Sequence, residues 1–226
     1  MLLLTAPTLA NPPTRVVQAR TAGRLAYTGR VSATLRDEQL QVLCDVLGSV
    51  DASAPTLCEG WTAHDIAIHI WVLKHDPLSW PLLVVPRLAG LATKRADALK
   101  QRWSYAELVA DLRSGDGEIA CMPLDGRENH RHALGEYFVH SEDVRRANAL
   151  HPARISPALE DALWQRLRVA APRLHRCESL RFEAPDGEWF TIGGHEPTQC
   201  LFGRPAELLL WAYGRTSAAA VTVRPA

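Results

Sequence analysis

A glutamate and a histidine four residues apart are the first candidates for chemistry in this sequence. Glu136 and His140 lie within residues 129–147, where apolar residues recur at helical spacing and only Gly135 disfavours a helix. On an α-helix this spacing places two side chains on one face, one turn apart. A carboxylate and an imidazole presented together can bind a divalent metal, share a proton or form an ordinary hydrogen bond. The spacing alone leaves all three open.

A histidine far upstream would complete a metal site. His69 falls on the apolar stripe of a predicted helix, together with Ile66, Ile70 and Leu73. A histidine on that face is either a core residue whose ring nitrogens bond to neighbours, or a ligand directed into a helical bundle. Two imidazoles and one carboxylate suit zinc with an open coordination position, and iron, nickel or manganese would also accept this set.

Helical periodicity and capping signals predict the elements that must position these residues. Thr62 with Asp65 and Ser104 with Glu107 have the capping-box pattern, and Ser156 before Pro157 indicates a further helix start. Predicted helices cover about 35–48, 62–75, 87–102, 104–115, 129–149 and 156–176, with a last helix from 205 to about 214. A proline-rich apolar connection is expected at 77–90 and a loop at 114–128. After residue 176, short β-like runs flank Asp186 and Gly187 as a hairpin signal, and residues 218–223 are a predicted closing strand.

The predicted elements divide the chain into three parts. The short apolar run at the start of the sequence has no positive residue before it and Pro7 interrupts it, which does not fit a secretory signal, so residues 1–33 are expected to form a poorly ordered extension. Residues 34–176 are expected to form the helical bundle with the candidate ligands, and residues 177–226 a small α+β domain. The predicted fold class is therefore mainly α, with a small α+β part at the C-terminus.

Composition indicates a neutral globular protein that acts on small molecules. Lys plus Arg and Asp plus Glu each number 25, which argues against nucleic acid or an anionic membrane as the main partner. No segment approaches the roughly 20 apolar residues that span a bilayer. The five cysteines are scattered and form no CxxC pair, which is typical of the reducing cytoplasm rather than of a disulfide framework.

Three segments resemble a known family. They are PTLCEGWTAHDIAIHI at 55–70, NHRHALGEYFVHSEDVRRA at 129–147 and FGRPAELLLWAYGRTSAA at 202–219. They resemble the actinobacterial maleylpyruvate isomerase-like group of the DinB-like metal-binding superfamily, over residues 34–224. The most specific runs are W-T-x-x-D-x-x-x-H and E-x-x-x-H-x-x-D. The resemblance implies a DinB-like four-helix bundle followed by a small α+β domain.

The resemblance also implies a metal centre and a thiol chemistry. Relatives hold a metal, typically zinc, through a histidine of the second helix and a glutamate and histidine of a later one, and His69, Glu136 and His140 occupy these positions. Characterised relatives use mycothiol, a low-molecular-weight thiol, whose pKa the metal lowers so that a thiolate meets the substrate. Arg215 matches an arginine near the active cleft that would bind a carboxylate. Alternatively, Arg215 is a cation at a helix C-terminus.

Further polar residues near these motifs have two interpretations each. Asp143 either orients a ligand or pairs with Arg146, and the ion pair is favoured because it needs no special geometry. Cys58 is either a reactive thiol or a packed cysteine, and Trp61 is either core or pocket wall. Four histidines are accessory ligands or, as favoured here, loop and surface residues: His64, His75, His130 and His132.

The sequence thus predicts a cytoplasmic metal-dependent transferase or isomerase. Its expected partners are a small-molecule substrate and a low-molecular-weight thiol, and its expected state is a monomer or a homodimer. The alternative is a non-catalytic metal-binding sensor or interaction module on the same bundle. A helical scaffold without metal would require three coincidences.

Overall fold

The computed structural model describes residues 17–19, 29–76, 89–114, 128 and 130–226. The described helices are α1 (Gly29–Gly48), α2 (Ala63–His75), α3 (Ala89–Arg102), α4 (Tyr105–Ser114), α5 (Arg131–Ala147), α6 (Pro157–Leu174) and α7 (Pro205–Ala212). The strands are β1 (Val17–Ala19), β2 (Leu180–Glu183), β3 (Trp189–Ile192), β4 (Gln199–Phe202) and β5 (Thr222–Pro225). The prediction of a mainly α protein with a small α+β part at the C-terminus is confirmed. None of the described helices is long and apolar enough to cross a membrane.

The chain divides into two compact units, with the boundary between Ala153 and Arg154. The first unit contains most of α1 and the helices α2 to α5. The second contains β1, α6, α7 and the remaining strands. The sequence predicts a boundary near residue 176, which assigns α6 to the helical bundle, whereas the structure assigns α6 to the second unit.

The first unit is built around one apolar core. Leu43 and Leu47 of α1, Ile66 and Ile70 of α2, and Tyr137 of α5 are buried in the same cluster. Helix α2 packs against α3, α4 and α5. The apolar spacing of α2 explains this position, because every turn directs an apolar side chain into the core.

Two predicted capping boxes are confirmed in the first unit. The Thr62 hydroxyl accepts a hydrogen bond from the Asp65 backbone N–H, and the Asp65 carboxylate accepts one from the Thr62 N–H. Ser104 and Glu107 make the same pair of bonds at the start of α4. Each box satisfies N–H groups that have no partner inside the helix. These local bonds fix where α2 and α4 begin.

The described residues of the second unit form a five-stranded sheet with two helices. Their strand order is β1-β3-β2-β4-β5, in which β2 and β4 pair in parallel and the other neighbours pair antiparallel. The predicted hairpin is confirmed, since β2 and β3 pair antiparallel around Gly187, whose φ of 85° favours glycine. The sequence missed β4. The closing strand is β5, which begins at Thr222 rather than at residue 218.

Helix α6 belongs with the sheet because of its aromatic packing. Trp164 meets Phe190 of β3 edge-on, with ring centroids 5.1 Å apart, and Phe190 stacks on Phe182 of β2 at 5.0 Å. Helix α6 also packs along α7. Periodicity shows which face of a helix is apolar but not which layer that face will cover. The boundary near 176 therefore differs from the structural one.

The start of the chain also differs from the prediction. Three residues of the predicted extension form β1, which pairs antiparallel with β3, and α1 begins at Gly29. Residues 1–16 and 20–28 of that extension lie outside the described residues, as do 77–88 and 115–127 of the predicted connections. A three-residue edge strand is stabilised by main-chain hydrogen bonds and therefore leaves little trace in the side-chain pattern.

Candidate metal centre

Helices α2 and α5 bring the three predicted ligands together. The His69 Nε2 atom lies 3.7 Å from Glu136 Oε2, and the His140 Nε2 atom lies 3.6 Å from the same oxygen. One ligand atom from each residue lies within 4.8 Å of the other two. The side chains are 8–15% exposed, so the cluster is largely screened from solvent. Residues 67 positions apart in sequence thus converge on one carboxylate oxygen.

The separations fit a coordinated ion better than hydrogen bonds. Distances of 3.6 and 3.7 Å are too long for an N–H···O hydrogen bond. Two ligand atoms that each lie roughly 2.0–2.1 Å from a tetrahedral ion are about 3.3–3.4 Å apart. The observed separations are close to that value, and two imidazoles with one carboxylate form a common zinc ligand set. The residues present therefore fit a divalent metal.

A buried carboxylate holds the second nitrogen of His140. The Nδ1 atom of His140 lies 3.0 Å from Asp143 Oδ2, and the Asp143 side chain is 0% exposed. Because a carboxylate accepts, this hydrogen bond places the proton on Nδ1 and leaves the lone pair of neutral His140 on Nε2, facing Glu136. The favoured prediction of an Asp143–Arg146 pair gives way to the orienting alternative. Arg146 Nε donates to Glu142 Oε2 at 2.8 Å.

A cysteine far from α5 in sequence reaches the same carboxylate. Cys58 Sγ donates to Asp143 Oδ2 at 3.2 Å, and metal-binding atoms of Cys58, His140 and Asp143 lie within 4.8 Å of one another. In a nucleophilic triad, the carboxylate and the nucleophile occupy opposite nitrogens of the imidazole. Here Cys58 Sγ and His140 Nδ1 both donate to Asp143 Oδ2, so the three groups do not follow the order of such a triad.

The electrostatic environment favours opposite charges within the cluster. Burial would raise the pKa of Glu136, but its interactions with His140 and His69 outweigh burial and hold that pKa well below the usual value. Burial would lower the pKa of His140, but Asp143, Cys58 and Glu136 outweigh it and raise that pKa well above the usual value. Without metal, the carboxylate is therefore ionised and the imidazole retains its proton. A metal ion that binds here must therefore displace a proton from His140.

Trp61 forms a wall of the cluster. Its ring centroid lies 5.3 Å from that of His69, edge-on, and 6.3 Å from that of His140, stacked. The two histidine rings are 5.0 Å apart and nearly perpendicular. Trp61 also packs against the apolar core of the first unit, so it is both a core residue and a wall of the cluster. An indole in this position limits ring rotation of both histidines and excludes water from one side.

The three predicted ligands His69, Glu136 and His140 are called the trio below. Among the four accessory histidines, and within the described part of the chain, His132 contacts the trio. Its Nε2 atom lies 3.7 Å from Glu136 Oε1, the oxygen that does not face His69 and His140. The favoured loop or surface interpretation missed this contact, which the i,i+4 spacing from His132 to Glu136 could have indicated. The other three contact different groups: His64 packs on Tyr105, His75 stacks on Trp71, and His130 Nδ1 accepts from Arg36.

Arg215 lies in the second unit, just beyond α7. Its backbone N–H donates to the Leu210 carbonyl at 3.0 Å, and its guanidinium donates to the Tyr213 carbonyl. These are contacts of a cation at a helix C-terminus, the second interpretation of this residue. A role in substrate binding remains a prediction.

Comparison with known proteins gives a fold likeness. No protein-family model matches the chain, and no curated protein matches it. A crystal structure of the mycothiol-dependent maleylpyruvate isomerase is similar, with a TM-score of 0.58 and 15% identity, over 87% of this chain and 93% of that one. A histidine-to-alanine mutant of that enzyme gives a TM-score of 0.56 and 16% identity over the same shares. The likeness shows a shared fold across nearly the whole of both chains and confirms that part of the predicted resemblance.

Proposed function

We propose that this protein is a metal-dependent enzyme that acts on a small electrophilic substrate with the help of a low-molecular-weight thiol. The reaction is either isomerisation of the substrate or transfer of a group to it. The observation that carries the proposal is the convergence of two Nε2 atoms on Glu136 Oε2, at separations close to those between two ligand atoms of one metal ion. The shared fold with a mycothiol-dependent maleylpyruvate isomerase supports the thiol and suggests mycothiol as its identity. We propose zinc as the metal because His69, Glu136 and His140 form a ligand set that zinc accepts.

The chain's own residues have distinct parts in the proposed reaction. A bound divalent ion would supply the Lewis acidity that favours the thiolate form of a coordinated thiol near neutral pH. His69, Glu136 and His140 would hold that ion, as a ligand set that zinc accepts with an open position. Asp143 keeps Nε2 of His140 directed at Glu136, and Trp61 excludes water beside the two rings.

The proposal has three further parts. Arg215 would bind a substrate carboxylate, supported by its match to the family segment G-R-T-S-A. The scattered cysteines support a cytoplasmic location. We propose a monomer or a homodimer, since the trio comes from a single chain.

Elemental analysis tests the metal centre. Purified protein should contain about one zinc per chain, and His140→Ala should lose it because one ligand is gone. His151→Ala is the matched control, since His151 is exposed and lies beyond the end of α5, and this variant should retain the metal. Metal-free wild type, even after reconstitution with zinc, would overturn the proposal.

Turnover assays test the thiol chemistry. Metal-loaded protein should convert maleylpyruvate or a related unsaturated dicarboxylate when mycothiol is present, and neither the thiol-free protein nor His140→Ala should do so. Glutathione serves as the control thiol. Stoichiometric metal without thiol-dependent turnover on any electrophilic acid would favour the non-catalytic metal-binding module instead.

A further inference from the structure

The loop before α2 is attached to α5 beside the metal centre. The Leu57 N–H donates to the Asp143 carbonyl at 3.1 Å, and Asn148 Nδ2 donates to the Pro55 carbonyl at 2.9 Å. These two bonds join the loop to α5 at positions five residues apart. The segment that leads to His69 is thereby anchored to the helix that carries Glu136 and His140.

Internal bonds keep Cys58 at a defined place in this loop. The Cys58 N–H donates to Thr56 Oγ1 at 3.1 Å, and the Cys58 carbonyl accepts from the Trp61 N–H at 3.0 Å. Thr56 Oγ1 donates in turn to the Trp61 carbonyl at 2.9 Å. The backbone on both sides of Cys58 is therefore restrained. The Cys58 side chain reaches Asp143 of α5 from this restrained position.

The Cys58 thiol and the His140 imidazole share one acceptor. Cys58 Sγ donates to Asp143 Oδ2 at 3.2 Å, and His140 Nδ1 lies 3.0 Å from the same atom. A carboxylate oxygen has two lone pairs, so two donors satisfy it and together oppose rotation of the carboxylate. Asp143 is fully buried, where an ionised group requires such donors.

We propose that Cys58 is a positioning residue of the metal centre, which acts through Asp143 to hold the His140 ring with Nε2 towards Glu136. This inference rests on the proposed function and extends it to a residue outside the three proposed ligands. Without the thiol, Asp143 Oδ2 loses one of these two donors. The carboxylate then rotates more freely, and His140 is less well oriented for the ion.

Metal affinity in a set of variants tests this role. Dissociation constants for Zn²⁺ and Co²⁺ would be measured by chelator competition in wild type, Cys58→Ala and Cys58→Ser. We expect Cys58→Ala to weaken binding about tenfold, the lower end of the effects reported for groups that orient a ligand. Cys58→Ser keeps a donor and should bind within about threefold of wild type. Cys177→Ala removes an exposed thiol of the second unit and should leave affinity unchanged.

A double-mutant cycle shows whether Cys58 acts through Asp143. If it does, adding Cys58→Ala to Asp143→Ala should cost no further affinity, because the mediator is already absent. Independent, additive losses would overturn the proposal. So would a Cys58→Ser variant as weak as Cys58→Ala, or a Cys58→Ala variant with wild-type affinity. Denaturant unfolding of each metal-free variant shows which of them fold. If Asp143→Ala does not fold, the comparison of Cys58→Ser with Cys58→Ala decides whether Cys58 positions the metal centre.

The absorption spectrum of the Co²⁺ protein separates the remaining alternatives. We expect the visible bands to change in Cys58→Ala and to return in Cys58→Ser, because the ligand geometry depends on the donor. A thiolate-to-cobalt charge-transfer band in wild type would make Cys58 a direct ligand and overturn the positioning role. A wild-type protein that binds no metal would instead overturn the proposed function, so the two failures are distinguishable.

Discussion

The His140 ring is held from both sides, with Nδ1 3.0 Å from the buried carboxylate of Asp143 and Nε2 3.6 Å from Glu136. The first distance is a hydrogen bond and the second is not. This difference assigns separate tasks to the two carboxylates three and four residues away along α5. Asp143 orients the ring, and Glu136 is available to an ion.

Removing the negative charge from Asp143 should weaken metal binding. In Asp143→Asn the amide oxygen is a poorer acceptor for the His140 Nδ1–H, so we expect Zn²⁺ affinity to fall about 10- to 100-fold. Chelator competition measures this. Asp97→Asn, at an exposed aspartate of α3, is the control and should bind as wild type does. Wild-type affinity in Asp143→Asn would contradict the orienting role.

Metal affinity should rise with pH through neutrality and beyond it. Interactions with Asp143, Cys58 and Glu136 outweigh the effect of burial and raise the pKa of His140 well above 6.5 in the metal-free protein, so an incoming ion must displace a proton. Each pH unit in that range should strengthen binding about tenfold, with about one proton released. Isothermal titration in buffers of different ionisation enthalpy gives the proton count. Affinity that is flat from pH 5 to 8 would count against His69 and His140 as ligands.

The metal-free protein should show the opposite trend in stability. A raised pKa for His140 contributes stability that is fully present below the unfolded value of 6.5 and is lost as pH rises through the folded value. A lowered pKa for Glu136 contributes stability that is present above 4.5 and is lost as pH falls through the folded value. Urea midpoints with a chelator present should therefore decline on the alkaline side.

The variant His140→Ala should remove that alkaline decline, because the group that titrates there is absent. His151→Ala should keep it, since it changes an exposed histidine only. An alkaline decline of equal size in both variants would assign the effect to another group.

Trp61 should report metal binding by its fluorescence. Its ring lies 5.3 Å from His69 and 6.3 Å from His140, so a paramagnetic ion bound by both histidines should quench it strongly. Titration with Co²⁺ should lower wild-type emission in step with occupancy. Trp61→Phe should bind about the same amount of cobalt with little quenching. Trp189→Phe, which changes a tryptophan of the second unit, should keep the quenching of the wild type. Equal quenching in wild type and Trp61→Phe would place the ion elsewhere.

Local signals in the sequence predicted much of the site. The i,i+4 spacing of Glu136 and His140, the apolar stripe around His69 and the Thr62 capping box all depend on interactions within one or two helical turns. Such patterns are readable because the helix imposes its own period. They predicted which side chains share a face and where α2 begins. That the trio binds metal is still a prediction.

The tertiary structure decided the contacts between distant segments. Cys58 and Asp143 are 85 residues apart, and nothing in either segment indicates that a thiol meets that carboxylate. Likewise, the apolar face of α6 is evident in the sequence, but only packing shows that Trp164 covers Phe190 of the sheet. The parallel pairing of β2 with β4 is likewise a contact between separated segments that the sequence does not indicate. The sequence by itself determined the helical period, the caps and the candidate ligands, because these follow from neighbours along the chain. The unit boundary and the support around His140 depend on how remote surfaces fit together, which only the folded chain decides.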